Sequence, residues 1–351
     1  MSIYLINIAL IYIWAIFLLA MDSDRFKKGM YCTVVACQWI LLSGLRDLSI
    51  GADTVAYARH FERIKTVPWD NIFQNILEYV KGAEIKDPGY ALVVKVFQVF
   101  SGEYQLFLLF IAILFIGSMA VWIYRNSPMP CLSFILFSTL FYSFYAITGH
   151  RQTIATALVV FIGYHFIRNR KLIPFLLLSV VAFFIHKSSV CFVPFYFLAN
   201  VNISWKYVSI FTVLSVAMVT LGTRFYEPLA ELIGYEVEIP DTAGTTTYVL
   251  MVCVVAFATI VLYKFIKENN PDDYKSIIHA TLLTLVFSIM TLQNQGFMRV
   301  QQYYALFLML SLPKLVKCFD AKTKVVVYLL GSAILVFKLV QNHPEYMFFW
   351  Q

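Results

Sequence analysis

The chain has 351 residues, 60% of them hydrophobic and only 13% charged, and its 27 Lys+Arg against 20 Asp+Glu leave a net charge of +7. With a mean hydropathy of +0.75, this composition excludes an ordinary soluble protein, because apolar runs repeatedly reach the roughly 20 residues that a bilayer core of about 30 Å demands of a helix. The basic surplus is assigned to loops on the cytoplasmic side of a membrane and not to nucleic acid, which is not an expected partner.

The first run, about Ser2 to Ala20, has no basic residue before it, so it reads as a retained helix and not as a cleaved signal peptide. Asp22, Asp24, Arg25, Lys27 and Lys28 follow, and then a second run to Leu45. Further spans are expected at roughly 104–124, 129–148, 153–167, 172–185, 189–200, 206–222, 247–264, 277–293, 300–316 and 325–341, giving an all-α polytopic membrane domain of about 12 helices. A transmembrane barrel is disfavoured, since Leu106 to Ile116 and Val325 to Phe337 are apolar on nearly every face where barrel strands alternate.

Putting Arg25, Lys27 and Lys28 inside fixes every later loop by alternation. Arg125, Arg168, Arg170, Lys171, Lys206, Lys264, Lys267, Lys275, Lys314, Lys317, Lys322 and Lys324 then fall on the same side, whereas the short outer loops hold Arg151, Lys187, Arg224 and Arg299. This bias predicts both termini outside. The run Tyr90 to Phe100 is short, holds Lys95 and follows Asp87-Pro88-Gly89, and it would invert all later loops if it spanned. With the amphipathic pattern Ile72, Phe73, Ile76, Leu77, Val80 it is expected to be interfacial or re-entrant, within an outer segment over residues 46–103. A second outer loop, 222–246, is acidic, with Glu227, Glu231, Glu236, Glu238 and Asp241 against Arg224.

Cys32, Cys37, Cys131, Cys191, Cys253 and Cys318 form no CxxC pair or Cys/His cluster, so neither a disulfide framework nor a metal site is expected. The sequence has no phosphate loop of the GxxxxGK[ST] type, which argues against ATP coupling within the chain.

On the expected outer side the helix ends collect polar groups: Arg46 and Asp47, Asp53, His150, Arg151 and Gln152, His186 to Ser189, and Gln293 to Arg299. Ionisable groups near hydrocarbon are costly unless they face a cavity with partners, so one shared outward-opening site is the expectation. Arg46, Arg151 and Arg299 are planar forked donors suited to a diphosphate, although a single Arg at a helix end equally well snorkels to head groups. His186 is read as a general base or a ligand to a sugar hydroxyl, against the plain alternative of a helix cap. His150 is similarly ambiguous. Asp53 is read equally as an N-cap and as a site carboxylate, Asp47 as a partner of Arg46, and Asp87 as a turn residue. Tyr57, Tyr303 and Tyr304 lie near this rim and offer stacking faces for sugar rings, with ordinary packing as the competing role.

The segments GLRDLSIGADTVAYARHF (44–61), DPGYALV (87–93), GHRQTIATALVVFIGYHFIRNRK (149–171), FFIHKSSVCFVPFYFL (183–198) and MRVQQYY (298–304) resemble, in order, the EpsG family of exopolysaccharide and O-antigen polymerases of the Wzy type. The resemblance implies a membrane glycosyltransferase of the bacterial inner membrane. It would join undecaprenyl-pyrophosphate-linked oligosaccharide units on the periplasmic face, with a flippase and a chain-length regulator as partners and no cofactor. Arg46, Asp53, Arg151, Gln152, His186 and Arg299 occupy the positions associated with that family's site. The implied roles are leaving-group stabilisation by Arg151 and Arg299, with Arg46, and proton removal by His186 or Asp53. Substrate contacts fall to Asp47, Tyr57, His150, Gln152, Tyr303 and Tyr304. Arginines supply the charge in that scheme, so no metal is required, and the one DxD match, Asp22-Ser23-Asp24, falls on the opposite side. A glycan ligase and a lipid-linked oligosaccharide flippase remain the competing readings.

Overall fold

In the computed structural model, which describes residues 3–19, 24–221, 224, 242–341, 343 and 345–351, the described chain is helical, with an isolated bridge between Arg46 and Phe348 and no strand. The first helices are α1 (Ile3–Leu19), α2 (Arg25–Gly44), α3 (Thr54–Thr66), α4 (Trp69–Val80), α5 (Pro88–Gln98) and α6 (Tyr104–Asn126). Next come α7 (Pro130–Leu136), α8 (His150–Thr156), α9 (Gly163–Arg168) and α10 (Leu172–Ile185).

Among the described residues, three helices are by themselves long and apolar enough to cross a membrane: α6, Tyr274–Thr291 and Ala321–Gln341. A fourth is added if Thr245–Val261 and Tyr263–Asn269, bent by 71° at their junction, count as one. The other apolar helices are shorter, including α1, α10 and Trp205–Ala217. The difference from the expected count has a backbone cause. Apolar windows ignore breaks, and several windows contain them. The stretches between α7 and α9 widen into π-helical turns at Phe137–Phe141, Ser143–Thr148 and Ala157–Ile162. Residues 187–200 consist of a 3₁₀ segment, Lys187–Phe192, and the four-residue helix Phe195–Leu198.

Polar contacts gather at two ends of the bundle. At one end Tyr346 donates to the Leu42 carbonyl at 2.8 Å, Asp47 N to the Met347 carbonyl at 2.9 Å, Gln105 to the Gly44 carbonyl, and Gln152 Nε2 to the Arg299 carbonyl at 2.7 Å. This is the cleft rim. At the far rim Lys28 Nζ donates to the Ser127 carbonyl at 2.8 Å, Arg168 to Asn126 Oδ1 at 2.8 Å and Lys275 to Asn202 Oδ1 at 2.6 Å. The irregular 187–200 stretch touches both, since Lys187 N reaches Asp87 at the cleft rim and the Asn200 carbonyl receives Lys275 Nζ at the far rim. Beside it, the 14 residues of α10 rise about 21 Å at 1.5 Å per residue.

Helices α3 to α5 form a small layer over the cleft rim. Phe61, Ile64, Ile72, Tyr90 and Val94 bury their side chains against Tyr104, Phe107, Leu108 and Ile111 of α6, Ile154 of α8 and Ile185 of α10. The 11 residues of α5 rise only about 16 Å, too short to cross a bilayer core of about 30 Å. Each fully buried Phe or Ile contributes roughly 1.5–3 kcal/mol relative to exposure in water. Trp69, Phe73, Leu77 and Val80 of α4 stay exposed on the opposite face. Of the expected 222–246 loop, residues 222, 223 and 225–241 lie outside the described residues, as do Asp22 and Ser23 of the DxD match, while 242–246 belong to the helix Thr242–Val261.

Candidate active site

The turn Asp87-Pro88-Gly89 builds the centre of the cleft. Pro88 opens α5, where its missing N–H costs nothing, and Asp87 takes a left-handed conformation with φ 49°. Gly89 is required by contact: a Cβ there would meet the backbone carbonyl carbon of Phe184 at 2.7 Å. This close approach of α5 to the end of α10 brings Asp87 to His186, which follows α10 in extended conformation (φ −156°, ψ 109°).

The Asp87 carboxylate is shared. Oδ2 lies 2.8 Å from Arg151 Nη1 and 3.4 Å from His186 Nδ1, and Oδ1 accepts from the Lys187 backbone N–H at 3.2 Å. The Asp87 side chain is 8% exposed, that of His186 13% and that of Arg151 24%. Burial pushes the Asp87 carboxyl up, but His186, Arg151 and the Lys187 N–H together outweigh it and hold the group below its usual range. Burial lowers His186, and the charges of Arg151 and Arg299 add to that, with Asp87 offsetting only part. The imidazole is therefore neutral at pH 7. An ionised carboxylate only accepts, so the proton sits on Nδ1 and donates to Asp87. This leaves the lone pair on Nε2, a buried atom with no hydrogen-bond partner among the described residues.

The cleft around this dyad encloses about 690 Å³. Asp53, Tyr57 and the α3 residues beyond it form one wall, Lys86, Asp87 and Tyr90 another, and Gly149, Arg151, Gln152, His186 and Arg299 the rest. The α3 face follows from spacing, because residues 53, 56, 57, 60 and 63 repeat at helical intervals. Tyr57 stacks on His150 with centroids 4.2 Å apart and lies 5.6 Å beneath the Arg151 guanidinium. A free ring nitrogen held by a carboxylate, next to guanidinium groups, is suited to take a proton from a hydroxyl while the cations meet a developing anion.

The family model of the EpsG family matches residues 29–350, nearly the whole chain. The chain belongs to the EpsG family. No curated protein and no solved structure matches it. Membership makes the protein a membrane-associated, polysaccharide polymerase-type enzyme of the glycosyltransferase kind.

Within this EpsG-family cleft stand Arg151, His186, Arg299, Asp53, Tyr57 and Gln152. Asp53 precedes α3 but makes no side-chain cap, so the capping role does not hold and its carboxylate lines the cleft instead. Five residues expected at the site do not line the cleft. Arg46 is 2% exposed and does not line the cleft; its guanidinium clamps the Ser43 and Ile147 carbonyls and lies 3.0 Å from His150 Nε2. Asp47 does not pair with Arg46 and turns onto Ser49, accepting from its N–H and hydroxyl. Tyr303 is fully buried with its hydroxyl on Ser188, and Tyr304 donates to the Cys191 carbonyl. His150 is buried behind Tyr57, between the clamp and the cleft wall.

Asp87 is the cleft residue that sequence reasoning left out of the candidate site. It forms a turn, with Tyr90 N bonded to its carbonyl at 3.0 Å, but its carboxylate organises the site. The usable signal was a carboxylate immediately before Pro-Gly in a segment already carrying the resemblance. Among the described residues no group of His, Cys, Asp and Glu has the geometry of a metal site.

Proposed function

We propose that the protein polymerises oligosaccharide repeat units carried on undecaprenyl pyrophosphate, with its cleft on the periplasmic face of the bacterial inner membrane. In this reading the chain passes between the two rims twelve times, and the basic residues of the far rim lie in the cytoplasm. A flippase supplies the substrates from the other side and a chain-length regulator acts on the product.

The acceptor sugar hydroxyl attacks the anomeric carbon of the donor. As the new C–O bond forms, the hydroxyl proton passes to His186 Nε2, and the bond from that carbon to the diphosphate oxygen breaks, releasing lipid diphosphate. The imidazolium then returns the proton to water. Asp87 holds the ring and stabilises its charge, and Arg151 and Arg299 meet the charge gathering on the leaving group, an effect worth several kcal/mol in preorganised sites. The charge balance in this scheme rests on guanidinium groups.

The observation that carries the reading is the unpartnered Nε2 of His186, fixed by Asp87 in a cleft lined by Arg151 and Arg299. The test is product analysis in cells carrying Arg299→Ala or His186→Ala at normal membrane levels. Single repeat units on the carrier are expected to accumulate. Long polymer left on the carrier would instead mark a ligase, and undiminished chain growth in both variants would sink the assignment.

A further inference from the structure

The cleft holds more cationic charge than one leaving group needs. Besides Arg151 and Arg299 it is lined by Arg59, Arg63 and Lys86, with Asp53 and Asp87 as the carboxylates among the described residues. No carboxylate lies within ion-pair distance of Arg59, Arg63 or Lys86 among the described residues. Arg63 lies six residues beyond Tyr57 on α3, about 9 Å along the axis, whereas Arg151 sits directly over the Tyr57 ring. One aromatic ring links the two groups: Tyr90 contacts Tyr57, beneath Arg151, and His60, beside Arg63, each at 5.5 Å between centroids.

His60 belongs to the outer group. Its Nδ1 is 2.9 Å from Arg63 Nη2, so a neutral ring accepts from Arg63 and carries its proton on Nε2, a buried atom with no partner among the described residues. Burial, then the charges of Arg63 and Arg151, lower its pKa to about 4, which keeps the ring neutral.

We infer that Arg59, His60, Arg63 and Lys86 form a second anion subsite, separate from the Arg151 and Arg299 pair, which holds the acceptor substrate by its diphosphate or by a sugar carboxylate. The inference rests on the two-substrate reaction proposed above. Attack by one carrier-linked unit on another brings two anions into one cleft, and a second group of cations gives the second anion its own counter-charge.

Equilibrium dialysis of the purified full-length protein with radiolabelled inorganic pyrophosphate tests the subsite without relying on the reaction. The wild type is expected to bind two per chain, and the Arg59→Gln/Arg63→Gln/Lys86→Gln and Arg151→Gln/Arg299→Gln variants one each. A single site in the wild type, or two sites retained in the triple variant, overturns the inference. Two sites in a wild type that makes no polymer would leave the subsite standing and remove the proposed reaction.

In reconstituted vesicles the triple variant is expected to raise KM for a carrier-diphosphate acceptor roughly ten- to hundredfold, as for lost charged hydrogen bonds, with kcat nearly unchanged. An acceptor repeat unit on an uncharged alkyl chain separates the sources. No defect with it identifies the diphosphate as occupant, and a defect only when the repeat unit bears a uronic acid identifies the carboxylate. A defect with a neutral unit on that chain overturns the subsite. Arg59 and Arg63 are exposed, so folding is expected to survive, and Arg59→Gln alone serves as the milder variant.

Discussion

Each rim of the bundle holds a carboxylate close to a cation, but the two arrangements are built to different ends. At the far rim Asp273 and Lys314 close on each other with side chains only 7% and 3% exposed, and the Lys314 ammonium is bonded to its partner. At the cleft rim Asp87 is divided between Arg151, His186 and the Lys187 N–H, and the result is a ring nitrogen left over on a residue that lines about 690 Å³ of cleft. A closed pair spends its polarity on itself; an open one leaves an atom able to act. Buried charge therefore marks function only where the partners leave something unsatisfied.

The sharpest test of this contrast removes the leftover atom. His186→Ala is expected to cut polymer formation by about 10²- to 10⁴-fold, the usual contribution of a positioned base, with unfolding temperature close to wild type. At the far rim the double variant Asp273→Leu/Lys314→Met is expected to polymerise at the wild-type rate per folded molecule. Comparable activity losses at the two rims would erase the distinction.

Stability should respond in the opposite sense. Lys314→Met alone leaves Asp273 buried without its cation, a loss of about 3–5 kcal/mol, and removing both charges should recover most of it. Thermal unfolding in detergent of the two single variants and the double variant reads this directly. A double variant as unstable as Lys314→Met would mean that the pair itself, and not the orphaned charge, carries the stability.

Between these extremes lies Gly89→Ala. A Cβ at Gly89 would strike the Phe184 backbone, so α5 must draw back and take Asp87 from His186. Polymer formation is expected to fall by about tenfold or more, since small misplacements in catalytic geometry are costly, while the bundle stays folded. Unchanged activity would show that the contact of Asp87 with His186 is incidental.

How much of this was legible beforehand follows from what each residue depends on. The membrane class and the gathering of Arg151, His186 and Arg299 could be read because apolar runs and charge bias are local properties of the chain. The role of Asp87 could not, because it depends on contact with a residue 99 positions away, permitted by a missing Cβ at Gly89. The placement of Arg46 outside the cleft lining was hidden for the converse reason. Its forked donors suit carbonyl oxygens as well as phosphate, and only the approach of Ile147 decides between them. Fewer single helices reach spanning length than there are apolar windows because π-helical and 3₁₀ turns interrupt those windows, which composition does not register.

The smallest expected effect is also the most specific to the open rim. A neutral His186 is the active base, so polymer formation should fall as pH drops through the His186 pKa, which burial sets below the usual imidazole value. Asp87 raises that pKa, so Asp87→Asn should carry the acid limb of kcat/KM to lower pH while reducing the rate. Arg299 lowers it, so Arg299→Gln should carry the limb to higher pH, and Lys314→Met at the far rim should leave it in place. Opposite displacements from Asp87→Asn and Arg299→Gln cannot come from a general loss of folding, which would move both limbs the same way or neither. If the acid limb stays fixed in all three variants, the titrating group is not His186, and the leftover ring nitrogen is not the base.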